Sequence, residues 1–211
     1  MPSIPFKHFG PMFDCSRNAV LTVKSVKELI DICSDMGYSS FLLYTEDTYE
    51  VKDNPYFGYG RGRYSCEELK EIDRYALSRG LEFIPCIQTL GHLTCIFKWA
   101  PYAQLQDCHN ILMPEEEGTY KLIDDMFRTL SECITTKTIN IGLDEAHMVG
   151  RGRYYDKYGD SNHTELLVEH VRKVAEIAKK YGFRVSMCRI CSSELQVAVT
   201  TTIQTLWYRT N

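Results

Sequence analysis

Apolar positions along this chain change period in a regular order. Pro11-Met-Phe-Asp-Cys15 is a short apolar run and predicts a first strand. From Thr22 to Met36 the period is helical, with Val26, Leu29, Ile30 and Cys33 on one face and Gly37 as the stop. Ser40-Phe-Leu-Leu-Tyr44 predicts the second strand. Ser65 can cap a second helix with Glu68 in the capping-box position, and Gly80 ends it. Leu81-Glu-Phe-Ile-Pro-Cys-Ile87 predicts the third strand, although Pro85 is unfavourable in a central one. A helix over roughly 120–133, a strand at Thr138–Leu143, a helix over about 164–181 stopped by Gly182, and a strand at Phe183-Arg-Val-Ser-Met187 complete the pattern.

Strands alternating with helices imply an α/β fold with a parallel sheet and right-handed crossovers. No G-x-G-x-x-G follows the first strand, which leaves the dinucleotide-binding sheet without support. Polar residues instead follow successive strands: Asp14 and Arg17, Glu46 and Asp47, His92, then Asp144 and Glu145. That distribution fits the C-terminal rim of a (β/α)8 TIM barrel. Five βα units are countable where a barrel has eight, so the expectation is a partial barrel over 1–187 and an atypical tail over 188–211.

Composition narrows the function classes. The 211 residues are 44% hydrophobic and 25% charged, an ordinary globular balance. A net charge of −4 argues against non-specific nucleic-acid binding. Membrane-spanning runs and a signal-peptide apolar core are both lacking, so neither nucleic acid nor membrane is an expected partner. The nine cysteines are odd in number, and several lie in apolar periodic segments. They read as small free hydrophobes in a reducing, cytoplasmic setting. Cys188-Arg-Ile-Cys191 is a lone C-x-x-C without further zinc ligands at usual spacing, and no cofactor is expected. Gly60-Arg-Gly-Arg-Tyr64 and Gly150-Arg-Gly-Arg-Tyr154 repeat one motif, read as flexible basic rim loops. Their arginines, Arg61, Arg63, Arg151 and Arg153, are placed to neutralise carboxylates or contact a polar ligand.

Asp144-Glu145 carries the candidate chemistry. Ionised acids are costly to bury without partners, and this pair ends the apolar run Thr138-Ile-Asn-Ile-Gly-Leu143. Mutual repulsion separates the protonation of adjacent acids, which suits a reaction needing one anion and one proton donor. A capping or solvated acid pair is the bland alternative. Asp144-Glu145-Ala-His147 also spells a helicase box, but no phosphate loop accompanies it.

Four segments together resemble glycoside hydrolase family 20, the β-N-acetylhexosaminidases. Asn140-Ile-Gly142-Leu-Asp144-Glu145 is similar to the family's His-x-Gly-Gly-Asp-Glu, and Asp14-Cys-Ser16-Arg17 to its Asp-x-Ser-Arg. Thr89-Leu-Gly91-His92 resembles its Pro-Gly-His, and Glu46-Asp47 stands where it has an Asp-Asp pair. The resemblance covers roughly residues 10–187. It implies hydrolysis of terminal N-acetylglucosamine or N-acetylgalactosamine residues with the substrate's acetamide as nucleophile. Asp144 would orient that group, Glu145 would act as acid then base, and Arg17 would hold sugar hydroxyls. His92 with Glu46 or Asp47 would set the protonation of Glu145. His147, His163 and His170 read as structural or solvated.

After Met187 the family usually continues Trp-Ser-Asp-Met-Phe-Phe, whereas this chain reads Cys188-Arg-Ile-Cys-Ser-Ser193. Codons for this stretch can be chosen so that a neighbouring frame reads Asp-Met-Phe-Phe, which points to a frame slip. Val197–Leu206 has the composition of a sixth strand or an aggregation-prone edge. An open five-strand arc is expected to have low stability or to form a homodimer across its edge, with weak turnover. A non-catalytic, sugar-binding or structural remnant of a barrel is the alternative reading.

Overall fold

The computed structural model describes residues 8–187. Five strands lie parallel in one sheet and in chain order: β1 (Met12–Asp14), β2 (Ser40–Glu46), β3 (Glu82–Ile87), β6 (Thr138–Asn140) and β7 (Arg184–Ser186). A two-stranded hairpin, β4 (Gln106–Cys108) with β5 (Ile111–Leu112), stands apart. Between consecutive sheet strands run α1 (Val23–Asp35), α2 (Cys66–Ser78), α5 (Glu117–Cys133) and α7 (His163–Lys180), each packed on the next. Strands in chain order with helices as crossovers form a barrel wall, as the sequence pattern implies.

Local chemistry explains the main boundaries. Thr22 caps α1 by accepting from the Ser25 N–H, and Ser65 and Glu68 form the expected reciprocal capping box at α2. Gly37, Gly80 and Gly182 follow α1, α2 and α7 with positive φ, the backbone a helix stop uses. The apolar faces point as expected, with Val26, Ile30 and Cys33 buried on α1. Strand β2 is buried on both sides, which parallel sheets require. Phe41 and Phe83, paired across β2 and β3, stack with centroids 5.2 Å apart.

Several expectations need correction. Pro85 does sit in a central strand, opposite Leu43, but β3 meets β6 at the single pair Cys86–Asn140. The missing N–H therefore falls beside a short ladder and costs little. The fourth expected strand stops at Asn140 because Gly142 and Leu143 adopt φ of 73° and 75°. The β3–β6 connection holds α3 (Thr94–Phe97), α4 (Ala100–Ala103) and the hairpin, none legible as periodic runs. The second Gly-Arg repeat is no flexible loop: Arg153 opens helix α6 (Arg153–Tyr158). The buried Asp107 carboxylate accepts the N–H groups of Gly150 at 2.6 Å, Gly152 at 3.2 Å and Tyr154 at 2.8 Å. Cys15 and Cys33 are buried and free, but Cys66 and Cys133 form a disulfide, so not every cysteine is a free hydrophobe.

Among the described residues no helix is long and apolar enough to cross a membrane. The expectations for the 188–211 tail, its C-x-x-C pair and its sixth strand lie outside the described residues.

Candidate active site

Each candidate residue leaves the C-terminal end of a strand, and three of them do so with strained backbone. Glu46, His92 and Glu145 have φ of 48°, 54° and 54°. Non-glycine residues rarely adopt this left-handed region, and such strain persists where surrounding contacts hold it, often at functional sites. Here it turns side chains from three different strands towards one another.

Asp144 is the most restrained of them. Its Oδ1 accepts from Gln88 Nε2 at 2.6 Å, and its Oδ2 accepts from the Tyr44 hydroxyl at 3.1 Å. Gln88 also donates to Tyr44 Oη at 2.7 Å and accepts from the Leu143 N–H at 3.2 Å. Burial, reinforced by the Asp144 charge, raises the Tyr44 pKa far above that of an ordinary phenol, so it stays a donor. Glu145 beside it has no such cradle, and its side chain is 67% exposed. The two adjacent acids therefore differ in mobility as well as position.

His92 joins the two acids to the rest of the site. Its Nε2 lies 3.1 Å from Asp144 Oδ2 and 3.4 Å from Glu145 Oε2, and its Nδ1 lies 3.7 Å from Glu46 Oε1. Arg17 Nη1 donates to Glu46 Oε1 at 2.6 Å. Burial raises the pKa of Glu46, and the Arg17 cation opposes that rise. Asp14 does not reach this group; its Oδ1 accepts from Ser16 N and Oγ and fixes the turn that presents Arg17.

Of the two acids at the end of β2, Glu46 faces His92 while Asp47 turns away to pair with Arg61 at 3.2 Å. Arg61 also donates to Asn18 Oδ1 and the Ser16 carbonyl, clamping the turn after β1 to the end of β2. Of the four repeat arginines it alone meets one of the candidate carboxylates, while Arg63 pairs with Glu50 at 3.6 Å. Arg63 binds the Pro55 and Phe57 carbonyls, Arg151 binds Asp160, and Arg153 binds the Ala103 and Gln104 carbonyls. A cavity of about 300 Å³ opens here, lined by Arg17, Glu46, Arg61, His92, Thr94 and Cys95.

The candidate residues Arg17, Glu46, His92, Asp144 and Glu145 thus converge, and Asp47 does not. Sequence reasoning missed Tyr44 and Gln88, although both are polar residues at the ends of apolar strand runs. His170 is structural: fully buried, it lies between Tyr120 Oη at 3.2 Å and the Thr89 carbonyl at 3.0 Å, and burial pulls its pKa down to about 4. Among the described residues no cluster of three or more His, Cys, Asp or Glu side chains is arranged to hold a metal ion.

Gly142 is the backbone position on which this arrangement turns. A Cβ there would stand 2.2 Å from Gln88 Oε1 and 2.7 Å from the Ile87 carbonyl, at a φ of 73°. Gly142→Ala is expected to destabilise the fold by about 1–3 kcal/mol and to displace Gln88 from Asp144. The denaturation midpoint measures the first effect. An unchanged midpoint would show that the turn relaxes freely.

Parallel strands in barrel order with acids, an imidazole and an arginine on their C-terminal rim define a barrel-type site. Residues 42–197 match the catalytic domain of glycosyl hydrolase family 20, and the chain belongs to that family. Hexosaminidase D of Bos taurus is 26% identical over 157 residues, covering 71% of this chain and 45% of the relative. The exo-β-N-acetylglucosaminidase of Vibrio harveyi, solved with N-acetylglucosamine, superposes with a TM-score of 0.77 at 21% identity, over 88% of this chain and 36% of that one. The N-acetyl-β-hexosaminidase of Streptomyces plicatus superposes with a TM-score of 0.70 at 26% identity, over 87% and 39% of the two chains. The chain spans less than half the length of the curated relatives it matches.

Proposed function

We propose that this site hydrolyses terminal, non-reducing β-linked N-acetylhexosamine residues, with retention and with the substrate's own acetamide as nucleophile. The observation that carries the reading is the unequal treatment of the two acids. Asp144 is held by Gln88 and Tyr44, and Glu145 is left free to reach outward. Both carboxylates approach the same nitrogen of His92, so they work from one side of the site rather than as two walls around the sugar. Family membership supports the same substrate class.

In this mechanism the acetamide oxygen attacks its own anomeric carbon and gives a cyclic oxazolinium ion. Proximity within one ring supplies the effective concentration. Asp144, fixed and anionic, accepts the acetamide N–H and balances the developing positive charge. Glu145 gives its proton to the leaving glycosidic oxygen, then takes one from the water that opens the ring. Arg17 holds sugar hydroxyls, and Glu46 beside it keeps the guanidinium oriented. His92, between Glu46 and the acid pair, sets the field that Glu145 feels.

The test compares 4-nitrophenyl N-acetyl-β-glucosaminide with the corresponding β-glucoside, which has a hydroxyl in place of the acetamide. Release from the first alone, with the β-anomer of N-acetylglucosamine appearing first by NMR, is the expected result. Comparable turnover of the glucoside would instead require a nucleophile from the protein and would sink the reading.

A further inference from the structure

The first Gly-Arg repeat, Gly60-Arg-Gly-Arg-Tyr64, takes no part in the chemistry above, yet its side chains close on the turn that carries Arg17. Each nitrogen of the Arg61 guanidinium serves a different group. Nε donates to Asp47 Oδ1, Nη1 to Asn18 Oδ1 and Nη2 to the Ser16 carbonyl. One fork therefore grips the residue on either side of Arg17. Asn18 stands at a φ of 61°, a left-handed position that asparagine tolerates better than most side chains. Tyr64 holds the same turn further along. Its hydroxyl donates to the Leu21 carbonyl at 2.7 Å and lies 3.7 Å from Cys15 Sγ. Between Arg61 and Tyr64, a Cβ on Gly62 would already meet Val20 at 3.7 Å.

The repeat can brace this turn because it is itself fixed to the core. Arg61 and Asp47 form a buried pair, with side chains 10% and 2% exposed. Burial pushes the Asp47 carboxyl above its usual range, and the Arg61 cation opposes that rise. At Gly58, where φ is 66°, a Cβ would stand 2.0 Å from the Asp47 carbonyl, so the loop seats directly on the end of β2. The Tyr64 N–H donates to the Thr48 carbonyl at 3.1 Å, and the Glu50 N–H to the Tyr64 carbonyl at 2.8 Å.

Arg17 is placed quite differently. Its side chain is 60% exposed and hydrogen-bonds to Glu46. The aim of such a side chain depends on the backbone it leaves, and small misplacements of a substrate-holding group are costly. Asp14 fixes that backbone from one side, through Ser16, and Arg61 from the other. The second copy of the repeat does nothing comparable, since Arg151 binds Asp160 and Arg153 binds the Ala103 and Gln104 carbonyls.

We infer that Arg61 is a positioning residue for the sugar-binding arginine. It acts on the substrate through Arg17, by holding Ser16 and Asn18 on either side, and Asp47 anchors it. This inference rests on the proposed function and gives a role to Asp47, the candidate acid that does not face the site.

A double-mutant cycle on 4-nitrophenyl N-acetyl-β-glucosaminide tests it. Arg61→Lys keeps a cation beside Asp47 but replaces a three-nitrogen fork with one nitrogen, which cannot serve Asp47, Asn18 and Ser16 together. Alone it is expected to lower kcat/KM by about five- to twentyfold, mostly through KM, because Arg17 holds hydroxyls before and during the reaction. In an Arg17→Ala chain the same change should cost less than about twofold, since residues that act through one another are not additive. Tyr64→Phe keeps the buried ring and loses the tie to Leu21. It should show the same dependence on Arg17 with a loss of about threefold, and it carries the test if Arg61→Lys does not fold. Denaturation midpoints of all variants separate a loss of fold from a loss of aim. Equal losses with and without Arg17, or no loss from either substitution when Arg17 is present, overturn the inference while the proposed function stands. Absence of nitrophenol release by the unaltered chain removes the proposed function and the inference with it.

Discussion

Glu145→Gln is expected to lower kcat on a natural β-N-acetylhexosaminide by about 10²–10⁴-fold, the usual worth of a positioned general acid and base. The substitution removes the transferable proton but keeps size and polarity, and the side chain is mostly exposed, so stability should not change. The loss depends on the leaving group. A nitrophenolate departs without protonation, so the first step on a nitrophenyl glycoside should suffer far less than on an oligosaccharide. The second step, in which Glu145 activates water, should then limit turnover and produce a burst of nitrophenol. Equal losses in the first step on both substrates would remove Glu145 from the acid role. Asp144→Asn should behave differently. It spares the leaving-group proton but replaces the anion that Gln88 and Tyr44 hold, and so should slow both substrates alike.

Reducing the Cys66–Cys133 bond is expected to lower stability by about 4 kcal/mol, through the entropy of the loop it closes. Sixty-seven positions separate the two cysteines, whose Cα atoms lie 5.2 Å apart. The bond joins the first turn of α2 to the last residue of α5. These helices are neighbours on the outer layer, and a further polar tie lies just past α5, where Asp73 accepts the Thr135 N–H at 3.1 Å. Releasing the bond frees both helix ends in the unfolded chain at once. Urea titrations with and without reductant give the value. Cys66→Ser, at a helix position that tolerates serine, should reproduce the reduced curve and make reductant irrelevant. Coincident curves for the untreated and reduced protein would show that the two thiols do not pair in solution. A persisting bond would also count against the reducing compartment that the odd cysteine number suggested.

Much of this site was legible one strand at a time. Each apolar run ended in polar residues, and in a barrel that end is the functional rim. Arg17, His92, Asp144 and Glu145 were therefore nameable from their own neighbourhoods. The choice between Glu46 and Asp47 was not, because both stand at the end of the same strand. A register shift between Tyr44 and Glu46, together with the left-handed backbone at Glu46, decides which of them faces His92. Gln88 and Tyr44 were likewise invisible as partners of Asp144, which lies 56 and 100 positions away from them.

By itself, then, the sequence determined what depends on neighbours within a few positions: the alternation of strand and helix, the caps at Thr22 and Ser65, and the acids placed at strand ends. Periodicity and capping are local physics. The tertiary structure decided what depends on one strand lying beside another. Parallel pairing sets Tyr44 opposite Cys86, and Cys86 opposite Asn140, so the ends of β2, β3 and β6 finish level. Only that alignment gives Asp144 its fixed cradle and leaves Glu145 free.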